Sequence, residues 1–262
     1  MMAISNTSEP SVRPLSARSA IASTLLGTHP PTLPAAVLVR SCEILGVSSG
    51  TARVALSRMV AKNELTVEGG RYTLAGSLLA RQRRQDESLA ATSDYDGRWS
   101  MFIVQSTAEP RSPAERLAVR NRFRNFRYGP IRDGVWARPA NLANFSEAFD
   151  ALHEHADHWL STPDDPVTMI AGLWDIRNWA LRATRLQKAM TRGFGGLERD
   201  DATTLKVNFA LDAAVIRHLH ADPLLPSTLL PKTWPGEQLR RQHATFDAAF
   251  NRVWRTELRR DR

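Results

Sequence analysis

The fold is decided by residues 45–74, which read LGVSSGTARVALSRMVAKNELTVEGGRYTL. Within them, Ala52, Ala55, Leu56, Met59 and Val60 recur at the spacing of one buried helix face. Residues 65–74 then alternate between polar and apolar side chains around a central Glu-Gly-Gly, which is the pattern of a β-hairpin. The stretch therefore predicts a helix that is followed at once by a two-stranded hairpin.

Two further helices precede this stretch. Apolar side chains recur at helical spacing over residues 16–28 and again over residues 35–45. Prolines separate the two runs, and each proline disfavours helix at the residue before it. Three helices closed by a hairpin make a winged helix-turn-helix, in which the third helix enters the major groove of DNA. We predict such a domain over residues 15–92.

The third helix carries a face that suits DNA. When its apolar stripe points inward, small residues and arginines point outward, and arginine can reach base edges or phosphates. Residues 51–84 hold 7 basic and 2 acidic side chains. The predicted base-proximal residues are Arg53, Ser57 and Arg58, the predicted phosphate contacts are Lys62, Arg71 and Arg81, and Ser49, Gly50 and Val54 complete the set. The alternative is that these arginines only solvate a helical domain.

The charge is unevenly distributed along the chain. The net charge at pH 7 is +8 overall, with +4 over residues 1–92, −3 over residues 93–175 and +7 over residues 176–262. Positive ends favour a polyanionic partner such as nucleic acid. Only 4 of the 35 basic residues are lysine, and a GC-rich coding sequence produces the same bias towards arginine. Charge alone therefore leaves the partner open.

Composition excludes several classes of protein. The chain has 262 residues, 42% hydrophobic and 24% charged, which is typical of a multidomain globular protein. Cys42 is the single cysteine, so an internal disulfide or a multi-cysteine zinc site is impossible. No apolar run approaches the ~18 residues of a membrane helix, and residues 1–19 lack the apolar core of a signal peptide. We expect a soluble, cytoplasmic protein with no membrane partner and a mobile arm over residues 1–14.

The middle of the chain predicts an α+β domain over residues 93–175. Hydrophobic patterns indicate a strand, a helix, a second strand, a second helix and a last strand. Their predicted bounds are residues 99–106, 112–126, 134–139, 142–159 and 167–173. This order is that of a ferredoxin-like unit.

The last third, residues 176–262, predicts a helical domain with three helices. Glycines at positions 193, 195 and 196 read as the stop of its first helix. Residues 222–236 hold four prolines among leucines that need burial, so we predict an extended strap packed across the helical domain. The predicted fold class is α+β and multidomain, with an N-terminal winged helix-turn-helix, a central ferredoxin-like domain and a C-terminal helical domain.

Residues that could carry catalysis or hold a metal do not form a recognisable motif. His153, His155 and His158 lack the pair four residues apart that the two-histidine zinc helix requires, and we expect them on a solvated helix face. No glycine-rich phosphate loop follows a strand, no nucleophile elbow exists, and Cys42 has no evident base partner. We predict no enzyme activity, no catalytic residue, no cofactor and no metal.

The motifs quoted above resemble those of one family. Residues 51–60, TARVALSRMV, resemble the helix-turn-helix of the PaaX family of transcriptional repressors, named for phenylacetic acid catabolism. Residues 72–76 resemble the end of its wing, and residues 96–99 and 134–139 resemble its middle domain. The proline-rich segment over residues 222–236 resembles the most recognisable string of the family.

The resemblance implies an architecture and a function. It implies a winged helix, a ferredoxin-like domain similar to that of a CRISPR adaptation nuclease, and a helical C-terminal domain. It also implies a homodimeric repressor on a double-stranded DNA operator with an inverted repeat. An aryl-CoA thioester such as phenylacetyl-CoA is the effector that the resemblance implies.

A CoA thioester is polyanionic with an apolar tail, so its site needs arginines beside aromatic rings. Such mixtures occur where the middle and helical domains are expected to meet. The predicted ligand residues are Trp136, Arg138, Trp174, Arg177 and Trp179. The alternative is that the tryptophans fill a domain interface while the arginines extend into solvent.

Two rival functions follow from the same sequence. In the related nuclease family an aspartate ends the first strand, whereas residues 104–107 read VQST here, which argues against nuclease activity. A CoA-thioester-binding or scaffold protein without DNA binding is the other rival. It predicts no salt-dependent affinity for DNA, whereas a DNA-binding protein loses affinity as salt rises.

Overall fold

The computed structural model describes residues 16–88, 94–105, 111–142, 150, 152–154 and 156–260, without the side chains of residues 84–88. The predicted mobile arm over residues 1–14 lies outside these ranges. The described residues form helices and two small antiparallel sheets, which confirms the α+β class. They divide into two compact units, each built from segments distant in sequence.

The elements of the described residues are, in chain order, α1 (Ala17–Leu26), β1 (Thr32–Pro34), α2 (Ala35–Ile44), α3 (Ser49–Ala61), β2 (Leu65–Glu68), β3 (Arg71–Leu74), α4 (Gly76–Ser88), β4 (Trp99–Val104), α5 (Pro113–Asn125), β5 (Gly129–Arg132), β6 (Val135–Pro139), β7 (Ala156–Ser161), α6 (Pro166–Leu173), α7 (Ile176–Glu198), α8 (Leu205–His220) and α9 (Gly236–Arg259). Unit 1 holds residues 16–83, 189–214 and 243–260, and unit 2 holds the described residues of 84–188 together with 215–242.

Unit 1 begins with three helices that contact one another. Ile21, Leu38 and Leu56, one from each of α1, α2 and α3, are buried almost completely. Burial of each such side chain stabilises the fold by about 1.5–3 kcal/mol. The helix order agrees with the sequence-based prediction, and the bounds of α1 and α2 agree with the predicted ranges 16–28 and 35–45 to within two residues at each end.

The sheet of unit 1 has three strands rather than the predicted two. Its order is β1-β3-β2 and both pairings are antiparallel, with Thr32 opposite Thr73 and Leu65 opposite Leu74. Strand β1 lies between the first two helices, where the sequence indicated only prolines that separate them. Pro34 is tolerated there because β1 is an edge strand.

The long helix α7 corrects the prediction for its three glycines. They do not end the helix, because α7 continues to Glu198. A Cβ atom at Gly193 would lie 2.4 Å from Oδ1 of Asn208, and one at Gly196 would lie 2.7 Å from Cγ2 of Thr204. The glycines therefore allow neighbouring segments of unit 1 to approach the helix closely.

The sheet of unit 2 has four strands in the order β5-β6-β4-β7, and every neighbouring pair is antiparallel. The core against it contains Phe102 of β4, Phe123 of α5 and Trp136 of β6. The rings of Phe123 and Trp136 stack with their centroids 5.2 Å apart. The first strand, the first helix and the second strand region of the predicted middle domain are thus confirmed.

The last two predicted elements of the middle region are wrong. Residues 167–173 form helix α6 instead of a strand, with Pro166 in its first turn and the Asp165 side chain accepting from the N–H of Thr168. The last strand is β7, inside the predicted helix 142–159, of which residues 143–149, 151 and 155 lie outside the described ranges. Leu152 and Ala156 do share one buried core, but a strand begins at Ala156.

The proline-rich segment 222–236 is extended around one short 3-10 turn, Ser227–Leu229. Leu225 packs with Trp99, Ala137 and Ile170, so this part of the segment lies against the four-stranded sheet. The predicted packing across the helical domain is therefore wrong for this part. Its buried leucine finds apolar partners on β4 and β6 that no local pattern reveals.

Candidate nucleic-acid interface

Helix α3 is the centre of the candidate interface, and its local sequence determines where it begins. The Ser48 side chain accepts a hydrogen bond from the backbone N–H of Thr51 and thereby caps the helix. Ala52, Leu56 and Met59 are buried on one face. Ala55 and Val60, which the sequence places on the same face, are half-buried, and the remaining side chains between Ala52 and Met59 face solvent.

The exposed face of α3 holds the residues that the sequence assigned to DNA. Exposed residues are Gly50, Arg53, Val54, Ser57, Arg58 and Lys62, whereas Ser49 is half-buried. The side chain of Val54 is unusual because 51% of its residue surface is exposed on an otherwise polar face. An exposed methyl group beside arginines is suited to contact with the methyl group of a thymine.

Within the described part of the chain, carboxylates leave most of the positive charge of this face unpaired, although the charge of Lys62 acts on the nearby Glu64. Among the described residues, Arg53, Arg58 and Lys62 make no ion pair with a carboxylate. The nearby Glu64 is bound by Arg18, with Nη2 of Arg18 2.6 Å from Oε1 of Glu64. These hydrogen bonds hold the pKa of the Glu64 carboxyl below its usual value. The positive potential of the face is therefore available to an external anion.

The hairpin that follows α3 supplies a further exposed cation. Arg71 is exposed at the start of β3, next to a turn in which Gly69 and Gly70 adopt positive φ angles of 53° and 73°. Its Nη2 donates to the backbone carbonyl of Thr32 at 3.4 Å, which ties the side chain to strand β1. Glu68 lies opposite Arg71 in the strand pairing, so its negative charge compensates part of the positive charge of Arg71.

Arg81 lies on α4, a helix that the sequence analysis missed. The arginine is exposed, and its neighbour Gln82 is buried. The Gln82 side-chain amide donates to the backbone carbonyls of Leu25, Leu26 and Thr28 at 3.3, 3.0 and 3.0 Å. These bonds attach α4 to the end of α1. Helical spacing of Leu78 and Gln82 is the signal that could have revealed it.

The predicted ligand residues all lie in unit 2, and most are buried. Arg138 is 1% exposed, so the alternative in which the arginines extend into solvent is wrong for this residue. It donates to the backbone carbonyls of Phe126 and Pro139 and to Oδ1 of Asn141, each at 3.1 Å. Burial lowers the pKa of Arg138 to about 9.

The three tryptophans of this set occupy different environments. Trp136 is buried in the sheet core. Trp179 is stacked between His218 and Trp234, with ring centroids 4.3 and 4.5 Å away. Trp174 is half-buried, and the neighbouring Arg177 is exposed. Trp174 and Arg177 are therefore the members of the set that a ligand can reach without displacing core side chains.

Comparison with known protein families identifies the chain. A model described as PaaX-like protein matches residues 16–78, and a model described as PaaX-like protein C-terminal domain matches residues 174–257. Together they cover more than half of the sequence.

The chain belongs to the PaaX-like family.

Members of the PaaX-like family are generally transcriptional regulators. A solved structure, "Uncharacterized protein Rv0674 from Mycobacterium tuberculosis", is 34% identical to this PaaX-like chain, with a TM-score of 0.71. The match covers 93% of this chain and 99% of that one. A search of curated proteins gave no match.

The histidine and cysteine side chains that the sequence raised as candidates for chemistry lie in different surroundings in this PaaX-like protein. His158 lies in β7 rather than on a solvated helix, and its Nε2 is 2.7 Å from the Ser100 hydroxyl. Cys42 is buried, and burial raises the pKa of its thiol to about 11, so the reactive thiolate is scarce at neutral pH. No cluster of three metal-ligating side chains occurs within the described ranges.

None of the helices in the described part of the chain combines the length and the apolar character needed to span a bilayer.

The structure also shows a charged cluster that the sequence did not indicate. Asp222 is 1% exposed and is paired with Arg240. Nε of Arg127 donates to the backbone carbonyl of Asp222 at 2.7 Å. Burial raises the pKa of the Asp222 carboxyl, and the Arg240 charge opposes that shift. The cluster connects the proline-rich segment to the loop after α5, so its role is to hold unit 2 together.

Proposed function

We propose that this protein is a transcriptional regulator that binds double-stranded DNA with a winged helix, and that α3 lies in the major groove. The observation that carries the proposal is the exposed face of α3, where Arg53 and Arg58 make no ion pair with a carboxylate among the described residues. Arginine and lysine on such a face neutralise phosphates and read guanine edges.

The arrangement around α3 supports the winged-helix assignment. Three mutually packed helices are followed by the β2–β3 hairpin, which strand β1, between α1 and α2, completes to a three-stranded antiparallel sheet. The β2–β3 turn is exposed, as a wing requires. In unit 2, the strand order β5-β6-β4-β7 supports the ferredoxin-like assignment, because a βαββ start with a fourth strand beside the first produces that order.

We further propose a homodimer that acts as a repressor in the cytoplasm. A two-fold dimer presents two copies of α3 to two half-sites, which matches an operator with an inverted repeat. The resemblance to the PaaX family supports release by an aryl-CoA thioester such as phenylacetyl-CoA. Among the predicted ligand residues, Trp174 and Arg177 combine an aromatic ring with an accessible cation.

Gel-shift measurement on the DNA upstream of the coding sequence tests this proposal. We expect retardation of that DNA at lower protein concentration than random duplex, and weaker retardation when the matching CoA thioester is added. The logarithm of the affinity should fall linearly with the logarithm of salt concentration, by about 0.9 for each phosphate contact. Failure to retard any duplex at low ionic strength would contradict the proposal and favour a protein that binds thioesters without DNA.

A further inference from the structure

A lysine from the C-terminal part of the chain lies over the helix-turn-helix. The turn between α2 and α3 contains Gly46, which is exposed and has a φ angle of 83°. A Cβ atom at this position would lie 3.0 Å from Nζ and 3.8 Å from Cε of Lys206. The Lys206 ammonium group therefore rests directly on the turn that leads into α3. Both residues belong to unit 1.

The position of Lys206 is set by the first turn of α8. Leu205, directly before it, is completely buried, and Phe209 one turn later is also buried. The preceding 3-10 turn, Ala202–Thr204, is capped by Asp201, whose side chain accepts from the backbone N–H of Thr203. The lysine thus extends from a well-packed helix start rather than from a mobile loop.

The Lys206 charge has no partner within the part of the chain that the structure describes. The side chain is exposed, and it makes neither an ion pair nor a side-chain hydrogen bond there. A compact cation that extends from a fixed helix start and has no counter-ion is suited to a phosphate group, because the ammonium interacts as a point charge.

We infer that Lys206 is a phosphate contact of the DNA-binding surface, supplied by the C-terminal part of the chain to the helix-turn-helix. The inference rests on the proposed function, since it assigns one more residue to the same surface. DNA that enters along α3 brings its backbone past the start of the helix, where Ser48 and Gly50 are exposed beside the turn. Lys206 is the cation that the structure places at this end of α3.

Glycine at position 46, in the turn before α3, leaves room for the Lys206 side chain. A residue with a Cβ atom at 46 would displace the lysine, and the positive φ angle already favours glycine. Sequence analysis could not connect the two residues because 160 positions separate them. The DNA contacts predicted from the sequence all lie between residues 49 and 81.

The test compares Lys206→Gln with Lys206→Arg and with a matched control, Lys232→Gln. Lys232 is also exposed, has no ion pair among the described residues and belongs to unit 2. Binding to operator and to random duplex is measured by fluorescence anisotropy between 50 and 200 mM salt. Thermal unfolding of each variant establishes that the fold is intact.

A phosphate contact predicts a specific pattern. The fall of log affinity with log salt should be less steep for Lys206→Gln by about 0.9. The loss of affinity between 50 and 200 mM salt should therefore be about 3.5-fold smaller than for wild type. The reduction should be the same on operator and random DNA, because phosphates carry no sequence information. Lys206→Arg and Lys232→Gln should keep the wild-type slope.

Two outcomes would overturn the inference, and they are distinguishable. If wild type binds DNA but Lys206→Gln keeps the wild-type slope, Lys206 is not a phosphate contact while the proposed function stands. If wild type binds no duplex at low salt, the proposed function fails and the inference fails with it.

Discussion

The side-chain amide of Gln82 donates to the backbone carbonyl of Thr28 at 3.0 Å and to the carbonyl of Leu26 at the same distance. The amide therefore satisfies the C-terminal end of α1 from a helix 54 residues further along the chain. It also fixes the orientation of α4 and hence the direction in which its neighbour Arg81 extends.

Replacement of Gln82 by leucine should therefore destabilise the protein. The leucine keeps the buried volume but leaves the carbonyls of Leu26 and Thr28 without their donor, which costs about 1–3 kcal/mol. Equilibrium unfolding in urea measures the change in the free energy of unfolding. Arg83→Leu, an exposed neighbour on α4, is the control and should change that free energy by no more than about 0.5 kcal/mol. Equal effects of the two variants would contradict the structural role of Gln82.

Arg58→Ala tests direct reading of DNA by α3. The loss should be roughly 1–3 kcal/mol on the operator and smaller on random duplex, because a base contact is lost on the operator only. Lys62→Ala is the matched comparison and should weaken both complexes to the same extent. If Arg58→Ala also weakened both complexes equally, Arg58 would serve only as a charge.

The pair between Arg18 and Glu64 predicts a weak dependence of stability on acid. The folded-state pKa of Glu64 lies below its unfolded value. The pair therefore stabilises the protein fully when the pH is above the unfolded pKa, and this stabilisation is lost as the pH falls through the folded-state pKa. Arg18 is half-exposed, and the contribution of such a pair is about 0.2–1 kcal/mol. Glu64→Gln should lower the free energy of unfolding by that amount at pH 7, and by less as the pH falls through the folded-state pKa of Glu64. A loss of the same size across this pH range would show that the carboxylate charge is not involved.

The sequence predicts unit 1 better than unit 2 because the N-terminal elements of unit 1 are determined by residues close to one another in the sequence. Ser48 lies directly before α3 and caps it by accepting a hydrogen bond from the N–H of Thr51, and the apolar stripe of α3 is visible within a single helix. In unit 2, by contrast, β7 is a strand because it pairs with β4, about 55 positions earlier, and an isolated apolar spacing cannot reveal that pairing. Tertiary context overrides local periodicity there.

The candidate sites show the same division. The exposure of Arg53 and Arg58 follows from the helix period, which the sequence displays. The burial of Arg138 does not, because some of its partners, the carbonyls of Pro223 and Leu224, are 85 and 86 positions away. An arginine beside a tryptophan has the same local pattern in a ligand site and in a core.

Arg138→Ala should be among the most destabilising single changes in unit 2. It creates a cavity and leaves buried carbonyls without donors, and each unsatisfied group costs about 1–3 kcal/mol, so we expect a total loss of about 3 kcal/mol or more. Arg132→Ala on the neighbouring strand β5 removes an exposed arginine and should change stability by less than about 0.5 kcal/mol. Similar unfolding free energies for wild type and Arg138→Ala would show that the buried guanidinium is dispensable.

The effector proposal predicts a separate role for Arg177. Its exposed guanidinium beside the half-buried Trp174 can bind the phosphates of a CoA thioester, while Arg138 is already occupied by backbone carbonyls. Loss of one charged hydrogen bond corresponds to about tenfold in affinity. Arg177→Gln should therefore weaken the binding of phenylacetyl-CoA by that factor, as measured by calorimetry. Arg182→Gln, a change at another exposed arginine of α7, should leave the affinity unchanged. Equal weakening in both variants would indicate attraction by the general charge of the helix, and the absence of heat with wild type would exclude phenylacetyl-CoA as the effector.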